Sequence, residues 1–344
     1  MTIHRFLGAP LLATLILVGC TAAPSAGPPI RLNTLGYLPD APKHATVART
    51  EGAFDILRAP DQTRVLSGTL QPLSHRGDAE ETLRRADFSA LTTPGEYVLR
   101  LEDSTTSAPF RVDPQLYRTP FWLVTRAMYL WRCGVAVEGE WQGQRFHHAA
   151  CHLEDAWTDY INGRHEQKNA VGGWHDAGDY NKYVVNAGVT VGVMLRAWQD
   201  FPAIRQVSLD LPESGGALPD FLAEVKFQTD WLLTMQAPDG DVYTKVSTIH
   251  FGAFVLPEEE TTPRYFCPTG TPATAAFVAM LAQAARAFEP YLPEYANRCL
   301  AAARRSHAYL AQHPAHRPPD QSMFHTGGYG TEDADDRLWA AAEL

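Results

Sequence analysis

Clustered basic residues are missing from this sequence. Its 29 Lys and Arg are outnumbered by 39 Asp and Glu, the formal net charge is -10, and no long basic run occurs. Phosphate backbones are gripped by grouped Lys and Arg, so the balance argues against nucleic acid as a partner and fits a neutral or cationic substrate better. A membrane-length apolar segment is missing as well. The apolar run Leu7–Val18 covers twelve residues, against the roughly 20 that a transmembrane helix needs. No internal repeat is strong enough to define the architecture. What is present is core-forming material: 344 residues, 45% of them hydrophobic and 10% aromatic, enough for two folded domains.

The first 27 residues read as export signal and tether rather than fold. Arg5 precedes the apolar run, and the run ends in Leu17-Val18-Gly19-Cys20, which resembles a bacterial lipobox. Thr21 follows, with no aspartate to retain the protein at an inner membrane, and Ala22–Pro29 reads as a flexible linker. An ordinary secretory signal with an incidental Cys20 is the alternative; all four lipobox positions match, which favours a lipidated Cys20. Either way the chain is expected outside the cytoplasm, touching a bacterial outer membrane only through its lipid anchor.

Residues 28 to 112 carry short strand-like runs such as Phe54-Asp55-Ile56-Leu57 and Gly95–Leu101, punctuated by Pro, Gly, Asp and Ser. Tyr97, Leu99 and Leu101 alternate with Val98 and Arg100, the period of a half-buried strand. These runs predict an immunoglobulin-like β-sandwich with a packing or binding role, since no catalytic constellation lies in it. After Asp113-Pro114 the period changes to that of helices. The sequence predicts helices over 121–132, 185–198, 221–235, 271–288 and 294–313, with Thr271 as a cap ahead of Pro272. A final helix from Asp335 to Leu344 stops with no capping residue, as if the helical domain of residues 113–344 were incomplete. Long loops rich in glycine and aromatics between helices suggest a helical toroid with a loop-built site.

The chemistry-bearing stretch is Gly172-Gly173-Trp174-His175-Asp176-Ala177-Gly178-Asp179-Tyr180, with Lys182 and Tyr183 beyond it. The glycines permit close approach of a ligand, and Trp174, Tyr180 and Tyr183 offer flat faces suited to sugar rings. Two carboxylates there are able to bind a metal, or to act as a general base with an orienting partner. A helix-capping loop with solvated aspartates is the plain alternative, and the flanking sequence decides against it.

That segment resembles the GGW-x-DAGD signature of glycoside hydrolase family 9, cellulases and related β-glucan hydrolases. The resemblance extends to Arg132-Cys133-Gly134, to Phe146–His152 with Asp155-Ala156, to Thr234–Gln236 and Asp239–Val246, to Thr271–Ala276 and to Asp336–Glu343, in the subgroup with an N-terminal immunoglobulin-like domain. It implies an (α/α)6 barrel and inverting hydrolysis of β-1,4-glucosidic bonds, with Asp179 as general base and Asp176 assisting it. The family's general acid is a late glutamate. None matching it is found here, and Glu343 belongs to the terminal helix. The chain by itself is therefore expected to be inactive and poorly folded. The substrate class implied is cellulose or mixed β-glucan; exo-acting hydrolysis of chitosan oligosaccharides, or an inactive remnant, are the alternatives. A monomer is expected.

Cys133, Cys151, His152 and His175 form a second constellation. Two cysteines and two histidines suit a closed tetrahedral zinc site, and the resembling subgroup holds a structural zinc with this pattern. A Cys133–Cys151 disulfide is the rival in an oxidising compartment, although it leaves His152 and His175 unexplained. His147 and His148 are expected to pack or face solvent, and Cys299 to be a buried free thiol. Asp335 and Asp336, with Asp333, follow Gly327–Thr331 and are weak candidates for calcium, which family members bind near this point. An acidic helix start is the alternative.

Overall fold

The computed structural model describes residues 27–49, 51–73, 82–155 and 168–344. The lipobox and Ala156 lie outside them. The chain divides between Arg118 and Thr119 into two compact units.

In the first unit, β1 (Ile30–Arg31), β2 (His44–Ala48), β5 (Gln71–Pro72) and β6 (Leu83–Asp87) form one four-stranded antiparallel sheet in the order β1-β2-β6-β5. The other sheet has the order β4-β3-β7-β8, from β3 (Ala53–Arg58), β4 (Arg64–Thr69), β7 (Gly95–Leu101) and β8 (Phe110–Val112). Both contribute to one core, in which Val47 and Ala86 of the first sheet join Phe54, Ile56, Tyr97, Leu99 and Phe110 of the second. The predicted face of β7 is buried, and Val98 on its other face is buried too. Lys43 is fully buried, and its ammonium donates to carbonyls rather than to a carboxylate, to Pro39 O and Ala41 O at 2.5 and 2.8 Å. Burial is the largest influence on that ammonium and lowers its pKa.

The second unit contains, among the described residues, six α-helices. They are α1 (Arg118–Leu130), α2 (Val184–Asp200), α3 (Asp220–Thr234), α4 (Thr271–Phe288), α5 (Pro293–Gln312) and α6 (Ala334–Glu343). Every residue of α4 except Arg286 is buried, as its nearly continuous Ala, Val, Met and Phe sequence requires. It packs against α2, α3, α5 and α6. Two boundaries depart from expectation. Gly270, not Thr271, caps α4, because the Thr271 hydroxyl is taken by the backbone N–H of Arg317 at 2.9 Å. Helix α1 ends at Leu130 because the next residues pair with the glycine-rich loop: His175 N–H donates to Trp131 O at 2.9 Å and Cys133 N–H to Gly173 O at 2.8 Å. Further elements are a hairpin of β9 (Val137–Trp141) and β10 (Gln144–His148), and a small sheet of β11 (Lys182–Tyr183), β12 (Lys245–Ser247) and β13 (Tyr265–Phe266). On α2 and α6, Val189, Val193 and Leu338 remain largely exposed.

Candidate active site and metal centre

The carboxylate loop pairs with the residues just after α1 and runs on into β11 and α2. Its backbone needs glycine where it turns: Gly173 has φ +73°, and a Cβ there would lie 2.7 Å from Trp231 Cγ. Buried polar groups hold it from beneath. Lys182, fully buried, donates to Ala170 O and Gly172 O at 2.6 and 2.9 Å and pairs with Asp155 at 2.6 Å. Trp174 donates its indole N–H to Glu224 at 2.8 Å and its backbone N–H to Gln228 at 2.7 Å. Glu224 is fully buried, and burial raises its pKa against the opposing pull of Arg132, 3.0 Å away.

On this base stand the two aspartates. Asp179 Oδ2 accepts from the Tyr183 hydroxyl at 2.8 Å and from Asn181 Nδ2 at 3.0 Å, while Oδ1 accepts from Asn181 N–H at 3.2 Å. Asp176 Oδ1 accepts from Asn186 Nδ2 at 2.7 Å and Oδ2 from the Tyr329 hydroxyl at 2.9 Å. Both phenols are held protonated, Tyr183 chiefly by burial and then by the charge of Asp179, Tyr329 chiefly by its bond to Asp176. They therefore donate. A cleft of 190 Å³ opens beside Asp176, walled by Trp131, Trp174, Tyr183, Asn186 and Thr190. Hollows of 620 Å³ at residues 212–218 and 700 Å³ along α2 and α6 are larger. Neither is lined by either aspartate, whereas Asp176 lines the small cleft. Glu343 is turned away from it, bound on α6 by Gln283 at 2.6 Å and Trp339 at 3.1 Å.

The four expected metal ligands converge. The ligand atoms of Cys133, Cys151, His152 and His175 all lie within 4.8 Å of one another, and no other such group of three or more His, Cys, Asp or Glu occurs among the described residues. His152 Nδ1 faces Cys133 Sγ at 3.7 Å, and His175 Nε2 faces Cys151 Sγ at 3.7 Å. Both cysteines are free thiols, as are Cys267 and Cys299. A hydrogen bond from Cys151 holds the Cys133 thiol well below its usual range, and the same contact, with burial, pushes Cys151 up. Thiolate character at one sulfur, two ring nitrogens and burial together fit a soft, tetrahedral cation.

The acidic start of α6 does not gather into a ligand set. Asp333 is occupied by Arg337 at 2.9 Å and faces His316 at 3.4 Å, and Asp335 points to solvent. Burial, then the charges of Asp335 and Asp333, push Asp336 up to about 6. His148 is buried against Ala149 O, and His147 is exposed. Sequence reasoning passed over Tyr329, Asn186, Glu224, Glu260 and Arg264. For Tyr329 a signal existed, the Gly327-Gly328-Tyr329-Gly330 turn that lays it on Tyr183 with ring centroids 4.7 Å apart.

Comparison with known proteins bears on this arrangement. Residues 117–344 match the model of glycosyl hydrolase family 9, and residues 25–106 that of the cellulase N-terminal ig-like domain. Endoglucanase D of Acetivibrio thermocellus is 46% identical over 319 residues, 92% of this chain and 51% of that protein. A xyloglucan-specific endo-beta-1,4-glucanase of Bacteroides ovatus is 33% identical over 367 residues, 100% of this chain and 62% of its own length. The chain thus spans about half to three-fifths of these relatives. Among solved structures, a metagenome-derived glycoside hydrolase family 9 endoglucanase superposes with a TM-score of 0.80 at 36% identity, covering 92% of this chain and 60% of the other. A Zn-binding triple mutant of a GH family 9 endoglucanase superposes with a TM-score of 0.81 at 38% identity, covering 89% of this chain and 59% of the other.

Proposed function

This chain belongs to glycosyl hydrolase family 9, and we propose that its aspartate pair serves inverting hydrolysis of β-1,4-glucosidic bonds in cellulose or a related β-glucan. The family places the six helices within part of an (α/α)6 barrel. The observation that carries the functional reading is the pair itself, each carboxylate engaged by donors at both oxygens, with Asp176 lining the cleft and Asp179 behind it on Tyr183, another cleft residue. Asp179 acts as general base: it takes a proton from water as the water oxygen bonds to the anomeric carbon and the glycosidic bond breaks. Asp176, fixed by Asn186 and Tyr329, orients the same water. Trp131 on the cleft wall, 39% exposed, offers the flat apolar surface a sugar ring requires.

The departing oxygen needs a proton from a second carboxylic acid, set roughly 6.5–9.5 Å from the base in inverting enzymes. Asp176 is the sole carboxylate lining the cleft among the described residues. We assign the acid to no residue of this chain and expect the 344-residue protein alone to be inactive. Cys133, Cys151, His152 and His175 are assigned to a structural zinc. Two thiolates and two imidazoles fill its four positions, so the ion would pin Arg132–Gly134 to the carboxylate loop without touching substrate. We further propose export of the protein from the cytoplasm on a lipidated Cys20, which Cys20→Ser and membrane fractionation test.

The functional test follows cellopentaose and chitosan oligosaccharides by proton NMR, using this chain and the chain extended through any reading frame beyond the Leu344 codon. The extended protein is expected to release the inverted α-anomer from cellopentaose, and Asp179→Asn to abolish release. Hydrolysis by the 344-residue chain, or retained activity in Asp179→Asn, defeats the assignment.

A further inference from the structure

The metal cluster has a buried neighbour that neither the carboxylate chemistry nor the ligand set uses. Glu260 and Arg264 are both buried and sit against His152. Arg264 Nη2 lies 2.8 Å from His152 Nε2, and Glu260 Oε2 lies 3.5 Å from the same nitrogen. Glu260 Oε1 is used, accepting from Thr262 N–H at 3.0 Å, but its Oε2 has no hydrogen-bond partner and meets Arg264 Nη2 only at 4.0 Å. An orphaned carboxylate oxygen in the interior is costly and calls for a partner.

The histidine supplies one. A guanidinium only donates, so in the arrangement seen Nε2 accepts from Arg264 and the ring proton resides on Nδ1, toward Cys133 Sγ. A metal bound at that corner needs the Nδ1 lone pair. A neutral imidazole then carries its proton on Nε2, where it opposes the Arg264 N–H and needs an acceptor. Glu260 is the one carboxylate within 4.0 Å of that nitrogen among the described residues. Asp155, 3.7 Å from Arg264 Nη1, offers the displaced guanidinium a counter-charge.

We propose that Glu260 is the positioning residue of the metal centre: on loading it accepts the Nε2 proton of His152, fixes the tautomer that presents Nδ1, and Arg264 turns toward Asp155. The ring gains and loses one proton, so its charge does not change. The charges also close. A zinc with two thiolates is neutral, leaving buried Lys182 and Arg264 to balance Asp155 and Glu260. This inference rests on the zinc assignment above and adds to it.

The test measures zinc affinity of the purified full chain by competition with a chromogenic chelator, together with melting of the metal-free protein. Wild type is expected to bind one zinc. Glu260→Gln, isosteric but uncharged, is expected to weaken binding about 10–100-fold without lowering the metal-free melting temperature. Exposed Glu259→Gln serves as the control with wild-type affinity. In zinc-loaded wild type, histidine NMR is expected to show His152 protonated on Nε2 with that proton shifted downfield by a carboxylate acceptor, a readout that needs no variant; an unshifted Nε2 proton overturns the role of Glu260. Wild-type affinity in Glu260→Gln, or a proton on Nδ1 in the loaded protein, overturns the proposal. No zinc uptake by wild type overturns the zinc assignment itself, and the role of Glu260 with it.

Discussion

Gly173→Ala isolates how the carboxylate loop is held. At φ +73° an L side chain sits in the left-handed region, a conformational cost of about 1–2 kcal/mol. The added methyl would also meet Trp231 Cγ at 2.7 Å and Trp231 Cβ at 2.9 Å. Trp231 is 1% exposed, packed within α3's buried face, and has nowhere to go. Overpacking of this kind costs about 1–3 kcal/mol, so the sum is about 2–5 kcal/mol. Gly172→Ala is the internal control. Its φ is +98°, but no atom lies within 4 Å of a Cβ there. It therefore bears backbone strain alone, about 1–3 kcal/mol. Urea denaturation of both variants, followed by tryptophan fluorescence at constant zinc, gives the difference directly. Gly173→Ala is expected to be the less stable, and also to bind zinc less tightly, because Gly173 O accepts the Cys133 N–H. If the two variants unfold at the same urea concentration, the close approach to Trp231 is not what constrains the loop.

Three further outcomes follow from buried charge and exposed apolar surface. Arg132→Met leaves Glu224 buried without its cation, and is expected to cost about 3–5 kcal/mol; Glu224→Leu in the same chain should restore part of that loss in a double-mutant denaturation cycle. Lys168 is lowered to about 8 by burial, from an ordinary 10.5. Between these values the unfolded chain holds the proton that the folded one has released, so stability is expected to rise from pH 8 to pH 10.5. Lys168→Met should flatten that rise when denaturation midpoints of the two proteins are compared across the window. Leu338 on α6 is 72% exposed, so Leu338→Glu is expected to change stability by less than about 0.5 kcal/mol in urea denaturation.

Much of this was legible because it is local. Alternation along Gly95–Leu101 marks the buried face of β7, and the prolines at 219, 272 and 293 mark where three helices begin. Asp176, Asp179 and the four metal ligands carry the resemblance in short motifs and could be named from them. What escaped depends on partners far apart in sequence. Tyr329 reaches Asp176 across 153 residues, and Arg264 reaches His152 across 112. The end of α1 escaped for the same reason: helical periodicity continues through Trp131 and Arg132, but Trp131 O is taken by His175 N–H and Cys133 N–H by Gly173 O. A buried Lys43 with only carbonyl partners leaves no mark in composition at all.

The position of Asp179, the base proposed above, is set by its own hydrogen bonds and by the loop that carries it. Between Ala170 and Tyr183 the chain is anchored from three sides: by the Lys182 ammonium on Ala170 O, Gly172 O and Asp155, by Glu224 and Gln228 on Trp174, and by the cysteine–histidine cluster through His175. Each anchor takes hold within a few residues of Asp176 or Asp179, and none of them uses either of those two carboxylates. Substituting Asp179 should therefore remove the base without loosening the loop, whereas substituting Lys182 should loosen the loop and leave both carboxylates in the chain. Placement of the base also owes nothing to the proton donor. The Asp179 partners, Asn181 and Tyr183, both come from the same short segment. Asp176 is different. One of its oxygens is held by Tyr329, which is 47% exposed on a turn with φ 40°. The orienting carboxylate is thus the adjustable member of the pair, and Tyr329→Phe is expected to disturb the geometry of water at Asp176 while leaving zinc binding and the melting temperature unchanged. A loss of zinc in that variant would mean that the turn at 327–330 supports the whole loop, and that the base is less independent than its local hydrogen bonds require.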